Sequence, residues 1–218
     1  MSKNVTLIAD PRVLRVPIEE CHEPLVDLRA EPRLLIDTRL ADQDGHFARV
    51  RAGVAQRLLR VAGAAPEGRR LLVIEGYRSP ALQRRYFDNY SERLSIEHPD
   101  WTAAELRTAA SRFVAPPDEV PPHSTGGAVD VTLVDARGAE LDMGTPYDAS
   151  PEESGGRCYT DADGLEPAAN ANRRLLVRLM RDAGFVNYPT EWWHWSFGDR
   201  YWAYVAGVQA ARYGTIAC

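Results

Sequence analysis

The segment HSTGGAVDVTLV, residues 123–134, contains the pattern that decides the fold. Its two adjacent glycines separate a Pro-rich loop from a run in which side chains alternate in character. Because successive side chains of a strand point to opposite faces, Asp130 lies on one face and Val131 on the other. The segment therefore predicts a strand with two distinct faces. A loop followed by a strand can fold back, which would bring His123 close to Asp130. On its own, this spacing is a weak signal, and it favours a surface histidine and a capping aspartate.

A second informative segment is EWWHWSF, residues 191–197. Ionisable groups among bulky apolar residues are costly to bury unless they are paired or bind a metal. Glu191 and His194 could simply pair with each other. Together, however, two imidazoles and a carboxylate are a familiar ligand set for a catalytic zinc, with a fourth position left for water. The neighbouring tryptophans are interpreted first as core residues. The other histidines, His22, His46 and His98, are expected at the surface.

Working outward, the chain reads as separated helices and β-rich segments without regular βαβ alternation, which indicates an α+β fold. A buried strand is predicted at residues 71–74, and Arg78 lies just beyond its carboxyl end. Four helices are predicted. An apolar stripe indicates the first, from Val50 to Gly63, and Ser79-Pro80 caps the second, whose apolar face is Leu82, Tyr86, Tyr90 and Leu94. A Thr102–Glu105 capping box begins the third, and the fourth runs from Pro167 to Gly184. Residues 1–45 are expected as extended chain and loops.

Residues 135–166 contain many Gly, Pro and acidic residues and no sustained period, so they are predicted to form a long excursion. Long loops of this kind are often functional. Because the excursion follows the strand that carries Asp130, we expect it to form a roof over the site. For Asp142 and Asp148 in this excursion, capping of turns is the simple interpretation.

Composition narrows the function classes. The chain has 218 residues, of which 44% are hydrophobic and 26% charged, and its net charge is −5. This acidic balance with scattered Arg residues argues against nucleic acid as a partner. No apolar run approaches the roughly 20 residues that a membrane-spanning helix needs, and the amino-terminal sequence lacks a signal-peptide pattern, so we expect one cytoplasmic domain over residues 1–218. Three widely spaced cysteines, Cys21, Cys158 and Cys218, are expected to be reduced structural thiols.

Four motifs resemble the VanX-type D-alanyl-D-alanine dipeptidases. They are GYRSP at 76–80, HSTGGAVD at 123–130, LDMGTPYD at 141–148 and EWWHW at 191–195, and EPLVDLR at 23–29 fits the same family. The resemblance implies the small α+β zinc-peptidase fold that is shared with D-Ala-D-Ala carboxypeptidases and the hedgehog amino-terminal domain. In that fold a small antiparallel sheet carries the metal and helices pack against it.

The resemblance also implies a role for particular residues. His123, Asp130 and His194 match the ligands of one Zn²⁺ per chain, Glu191 matches the general base, and Arg78 matches an arginine that supports the transition state. One departure is the presence of Pro121 and Pro122 where family members have small hydroxyl residues, so a substrate contact from such a hydroxyl is not expected. For Arg78, a structural salt bridge is the alternative.

Three functions follow from these expectations. The first is a zinc dipeptidase that acts on D-Ala-D-Ala or a closely related small dipeptide. The second is a D,D-carboxypeptidase or endopeptidase that trims peptidoglycan stem peptides. The third is a zinc-stabilised binding module without catalysis, against which the retention of Glu191 and Arg78 argues. The sequence assigns no oligomeric state.

Overall fold

A computed structural model describes residues 5–216. In this part of the chain the regular elements are, in order, α1 (Pro11–Leu14), β1 (Leu25–Asp27), β2 (Leu35–Ile36), β3 (Arg49–Arg51), α2 (Ala52–Ala64), β4 (Arg69–Glu75), α3 (Pro80–Glu97), α4 (Ala103–Ala110), β5 (Ala128–Asp135), α5 (Pro151–Ser154), α6 (Pro167–Asp182), β6 (Val186–Asn187), β7 (His194–Ser196) and α7 (Arg200–Ala206). Segregated helices and strands confirm the predicted α+β class.

A five-stranded sheet with the order β2-β4-β5-β7-β6 forms the centre of the fold. The pairs β4–β5, β5–β7 and β7–β6 are antiparallel, as predicted for the part of the sheet that carries the candidate site. The edge strand β2 differs, because it pairs in parallel with β4. A separate two-stranded sheet joins β1 and β3. The amino-terminal region, expected as loops, thus contributes short strands and the small helix α1.

Both faces of β5 are buried. The apolar face, represented by Val131, belongs to the main hydrophobic core together with Leu58 of α2 and Leu176 of α6. The other face carries Asp130 and Thr132, which are buried as well. The predicted alternation therefore separates an apolar core face from a buried polar face.

Helix α3 begins as predicted, with the Ser79 hydroxyl accepting a hydrogen bond from the Leu82 N–H. Its buried face is rotated relative to the predicted one and consists of Gln83, Phe87, Tyr90 and Leu94. The reason is that the Gln83 amide donates to the Ala115 carbonyl at 2.7 Å, so a polar residue is satisfied in the interior while Tyr86 stays partly exposed. The Thr102–Glu105 capping box opens α4 as predicted.

The excursion at 135–166 is ordered by one buried cation. The Arg173 guanidinium, on α6, donates to the backbone carbonyls of Met143, Arg157 and Tyr159 at 2.6–2.7 Å. Burial lowers the pKa of Arg173 to about 10. These bonds tie two distant parts of the loop to one helix.

The carboxyl-terminal region contains α7, a helix that the sequence did not predict. The Asp199 side chain caps it by accepting from the Trp202 N–H at 2.8 Å. The thiols of Cys21 and Cys158 are free, whereas Cys218 lies outside the described residues. Within residues 5–216, no helix is both long and apolar enough to cross a membrane.

Candidate metal centre and active site

The register of the central sheet places two candidate ligands side by side. Asp130 on β5 is paired directly with His194 on β7. Residues paired in this way have their Cβ atoms roughly 4.5–5.5 Å apart on the same face of the sheet. As a result, Asp130 Oδ1 lies 3.1 Å from His194 Nδ1.

The third candidate ligand comes from the short 3₁₀ turn Pro122–Thr125 that precedes β5. His123 Nε2 lies 3.3 Å from Asp130 Oδ1 and 3.2 Å from His194 Nδ1. The turn ends at Gly126, whose φ is +70° and where a Cβ would lie 2.6 Å from the Leu25 side chain. Glycine is needed there for both its conformation and its size. The structure thus brings together the three residues that the sequence singled out.

The surroundings of the two imidazoles fit metal binding. His123 Nδ1 lies 2.8 Å from the Gly76 carbonyl oxygen, so a proton on Nδ1 leaves the Nε2 lone pair directed at the site. His194 presents Nδ1 to the site, and its Nε2 lies 3.5 Å from Ser196 Oγ. All three candidate ligands are at most 5% exposed, and their donor atoms lie within 4.8 Å of one another. Two imidazole nitrogens and one carboxylate oxygen are a donor set that fits zinc with an open position.

The pKa values of the three candidate ligands depend on their burial and on the charges of one another. Burial alone would raise the pKa of Asp130, but the His123 and His194 imidazoles outweigh it and hold that pKa far below its usual range. Burial lowers the pKa of His194, which favours the neutral imidazole that binds metals. For His123, the attraction of Asp130 outweighs burial and raises the pKa.

Glu191 lies in the turn that leads into β7. Its carboxylate is 4.0 Å from His194 Nδ1, and the residue is 7% exposed. The Asn187 amide donates to the backbone carbonyls of Glu191 and His194, at 3.1 and 3.0 Å, and thereby fixes the turn. Burial raises the pKa of Glu191 well above its usual value, and the negative charges of Asp130 and Asp148 add to this effect.

Arg78 follows the end of β4, where the β4–β5 ladder has an irregularity between Val73 and Glu75. Its guanidinium donates to both carboxylate oxygens of Glu75 and, at 3.0 Å, to the Gln83 side chain. The salt bridge that was the alternative for Arg78 is therefore present. Burial would lower the pKa of Arg78, but Glu75 outweighs it, so the guanidinium is held as a permanent cation.

A cavity of about 390 Å³ connects these groups. It is lined by the three candidate ligands, Glu191 and Arg78, and also by Pro121 and Pro122. One wall comes from α3 and from the segment at 111–115. Tyr147, Asp148 and Glu153 of the excursion line the cavity as well. The predicted roof is thus a partial one, because only a few excursion residues line the cavity.

The sequence alone does not single out two of these lining residues, Tyr147 and Asp148. The Tyr147 hydroxyl donates to Asp130 Oδ2 at 3.0 Å. Asp148 lines the cavity and is itself exposed, yet desolvation and the charge of Asp130 raise the pKa of its carboxyl to about 6. Both residues belong to the LDMGTPYD motif, for whose acids the sequence predicts only turn caps. That interpretation holds for Asp142, which accepts from the Gly144 N–H at 2.7 Å.

A second group of possible ligands, Asp42, Asp44 and His46, lies away from this cavity. The Asp42 oxygens accept from the backbone N–H groups of Asp44, His46 and Phe47. These bonds explain the group as a capped turn. His46 and His98 are partly exposed and His22 is exposed, as expected.

Comparison with known proteins identifies the relatives of this chain. The model of the family described as D-ala-D-ala dipeptidase matches residues 46–210. A D-alanyl-D-alanine dipeptidase of Synechocystis sp. is 31% identical over 88% of this chain and 88% of its own length. One from Enterococcus faecalis is 33% identical over 62% of this chain and 66% of its own length. The solved LD-carboxypeptidase LdcB has a similar fold, with a TM-score of 0.51 at 19% identity over 97% of this chain and 90% of that chain. The chain belongs to the D-ala-D-ala dipeptidase family of peptidases.

Proposed function

We propose that the chain is a zinc-dependent dipeptidase that hydrolyses D-alanyl-D-alanine to two molecules of D-alanine. The observation that carries the proposal is the convergence of three candidate zinc ligands, a buried carboxylate and a fixed arginine on one cavity. The extent of the match to the Synechocystis dipeptidase supports the same substrate. His123, Asp130 and His194 would hold the zinc.

A bound zinc would supply a Lewis acid that polarises a peptide carbonyl and acidifies water. The protein's own contribution begins with Glu191. Its carboxylate accepts a proton from the attacking water and later donates it to the leaving amine. One carboxylate can serve in both steps, because it holds the proton between its removal from water and its delivery to the amine.

Arg78 would stabilise the negative charge that develops on the substrate. Three of the five N–H groups of a guanidinium are used in the hydrogen bonds to Glu75 and Gln83 that the described residues provide. One N–H on each terminal nitrogen remains for a substrate oxygen. Because Glu75 fixes the group before substrate binds, little reorganisation is needed during the reaction.

Asp148 is the candidate partner for the free ammonium group of a dipeptide. It lines the cavity, is exposed to solvent and carries a negative charge at neutral pH. A blocked amino terminus would lose this interaction and bury an uncompensated amide. The contact therefore favours free dipeptides over the stem peptides that a carboxypeptidase trims.

The test measures release of free D-alanine, by ninhydrin, from D-Ala-D-Ala, its N-acetyl derivative, its carboxyl-terminal amide and a tripeptide that ends in D-Ala-D-Ala. We expect rapid hydrolysis of the free dipeptide only, abolished by a chelator and restored by Zn²⁺. A comparable kcat/KM for the tripeptide would favour the carboxypeptidase. Zinc binding without hydrolysis of any substrate would favour the binding module. A cytoplasmic location stays a prediction, which cell fractionation tests.

A further inference from the structure

The two oxygens of Asp130 have different neighbours. Oδ1 faces both imidazoles, at 3.1 Å from His194 Nδ1 and 3.3 Å from His123 Nε2. Oδ2 instead accepts a hydrogen bond of 3.0 Å from the Tyr147 hydroxyl. A carboxylate can only accept, so the hydroxyl proton must point at Oδ2. The structure therefore distinguishes an oxygen for the metal from an oxygen that is held by the protein.

The position of the Tyr147 ring is fixed by contacts other than this hydrogen bond. The ring packs edge-to-face on Trp193, with the centroids 5.5 Å apart, and the Arg39 guanidinium lies 5.8 Å from its centroid. Two residues earlier, Thr145 Oγ1 accepts from the Trp192 indole N–H at 2.9 Å. The hydroxyl is thus presented to Asp130 by an arrangement that does not depend on the metal.

We propose that Tyr147 is a positioning residue of the metal centre, which holds Asp130 so that it binds zinc through Oδ1 alone. This inference rests on the proposed role of Asp130 as a ligand. Hydrogen bonds to the atoms of a ligand that do not bind the metal fix its orientation, and their loss typically weakens metal binding about 10- to 100-fold. In His123, the nitrogen that faces away from the site, Nδ1, is held by a hydrogen bond to the Gly76 carbonyl. The Tyr147 hydroxyl would hold the Asp130 carboxylate in the same way.

The test is the substitution Tyr147→Phe, which removes one oxygen and keeps the ring. The zinc dissociation constant is measured by competition with a chelating dye, and the visible spectrum of the Co²⁺-substituted protein reports on the ligand geometry. We expect zinc binding about 10- to 100-fold weaker than in the wild type. The Co²⁺ spectrum should change as well.

The matched control is Tyr213→Phe. The Tyr213 hydroxyl also donates to a carboxylate, Glu23 Oε2 at 2.8 Å, but it lies outside the cavity lining. Zinc affinity and a Co²⁺ spectrum for Tyr147→Phe that match those of Tyr213→Phe would overturn the inference. Asp130→Ala tests the ligand role of Asp130 separately, because unchanged zinc binding in that variant would overturn the proposed metal site itself.

Discussion

Glu75 and Arg78 form a buried ion pair in which the guanidinium donates to both carboxylate oxygens of a residue only three positions earlier. Both side chains are nearly inaccessible, at 2% and 12% exposure. Breaking a buried pair by removing one partner is costly, since the other charge is left in the interior. The pair therefore links the stability of the fold to the chemistry of the site.

For this reason, Arg78→Ala should lower the free energy of unfolding by about 3–5 kcal/mol. Adding Glu75→Gln should recover most of that loss, because it removes the buried Glu75 charge that Arg78→Ala leaves without its partner. Chemical denaturation of the single and double variants measures both effects. Equal stabilities of the two variants would show that the buried Glu75 charge is not the cause.

Activity should not recover in the same way. Relative to Glu75→Gln alone, the double variant should lose kcat by about 10²–10³, the usual cost of one donor that acts on developing charge. Steady-state kinetics on D-Ala-D-Ala separates the parameters. A change confined to KM would make Arg78 an anchor for the bound substrate instead.

His194→Ala should abolish tight zinc binding, since it removes one of three proposed ligands and disrupts the orientation of the others. Metal analysis of the purified protein should give one zinc per chain for the wild type and almost none for the variant. His46→Ala is the control, because His46 belongs to the second group of possible ligands. Zinc lost from the control and kept in His194→Ala would move the metal site to that group.

Glu191→Gln should keep zinc and reduce turnover by about 10²–10⁴, the typical contribution of acid–base catalysis. Metal analysis and steady-state kinetics on the same preparation measure the zinc content and kcat. Near-normal turnover in the zinc-loaded variant would mean that another group is the base.

The stability of the metal-free protein provides a second readout on Glu191. Its pKa is raised in the folded state, mainly by burial, so the ionised form destabilises the fold. This destabilisation is absent below the unfolded-state pKa of about 4.3 and grows as the pH rises through and beyond it. Chelator-treated Glu191→Gln should therefore be more stable than the wild type at pH 7 and equally stable near pH 4. Equal stability at both pH values would contradict the burial effect.

Asp148→Asn should raise KM for D-Ala-D-Ala by about 10- to 100-fold and change kcat less, because a hydrogen bond to a charged group contributes about 1.5–3 kcal/mol. The pKa of this carboxyl is raised to about 6, mainly by desolvation, so in the wild type KM should also rise as the pH falls through about 6 and the negative charge is lost. The variant should lack that pH dependence. A KM profile shared by both proteins would exclude Asp148 as the partner of the ammonium group.

Local patterns made much of the fold predictable. Ser79 and Pro80 begin α3, and the Thr102–Glu105 capping box begins α4, because these signals act within one turn of the chain. Convergence of His123, Asp130 and His194 was predictable only in part. The approach of the first two follows from a turn before a strand, whereas the approach of His194 depends on a strand pairing across about sixty residues.

Other features depend on contacts that no local pattern encodes. Helix α3 turns Gln83 inward because a distant carbonyl accepts from it. The sequence alone does not indicate helix α7, because its cluster of aromatic residues is typical of a buried core. Asp199 is nevertheless a normal N-cap. The role of Tyr147 required the folded excursion, since the hydroxyl meets Asp130 only after the chain has returned to the sheet.

The direct pairing of Asp130 with His194 also restricts how the length of this chain can vary among related proteins. Shifting one strand by a single residue turns every side chain to the opposite face. A one-residue insertion inside β5 or β7 would therefore place one of the two residues in the apolar core. Between these strands, additions around Gly138, where a side chain would meet only open space, leave the pairing intact. We expect natural length differences to gather in the excursion and to be absent from the paired segments.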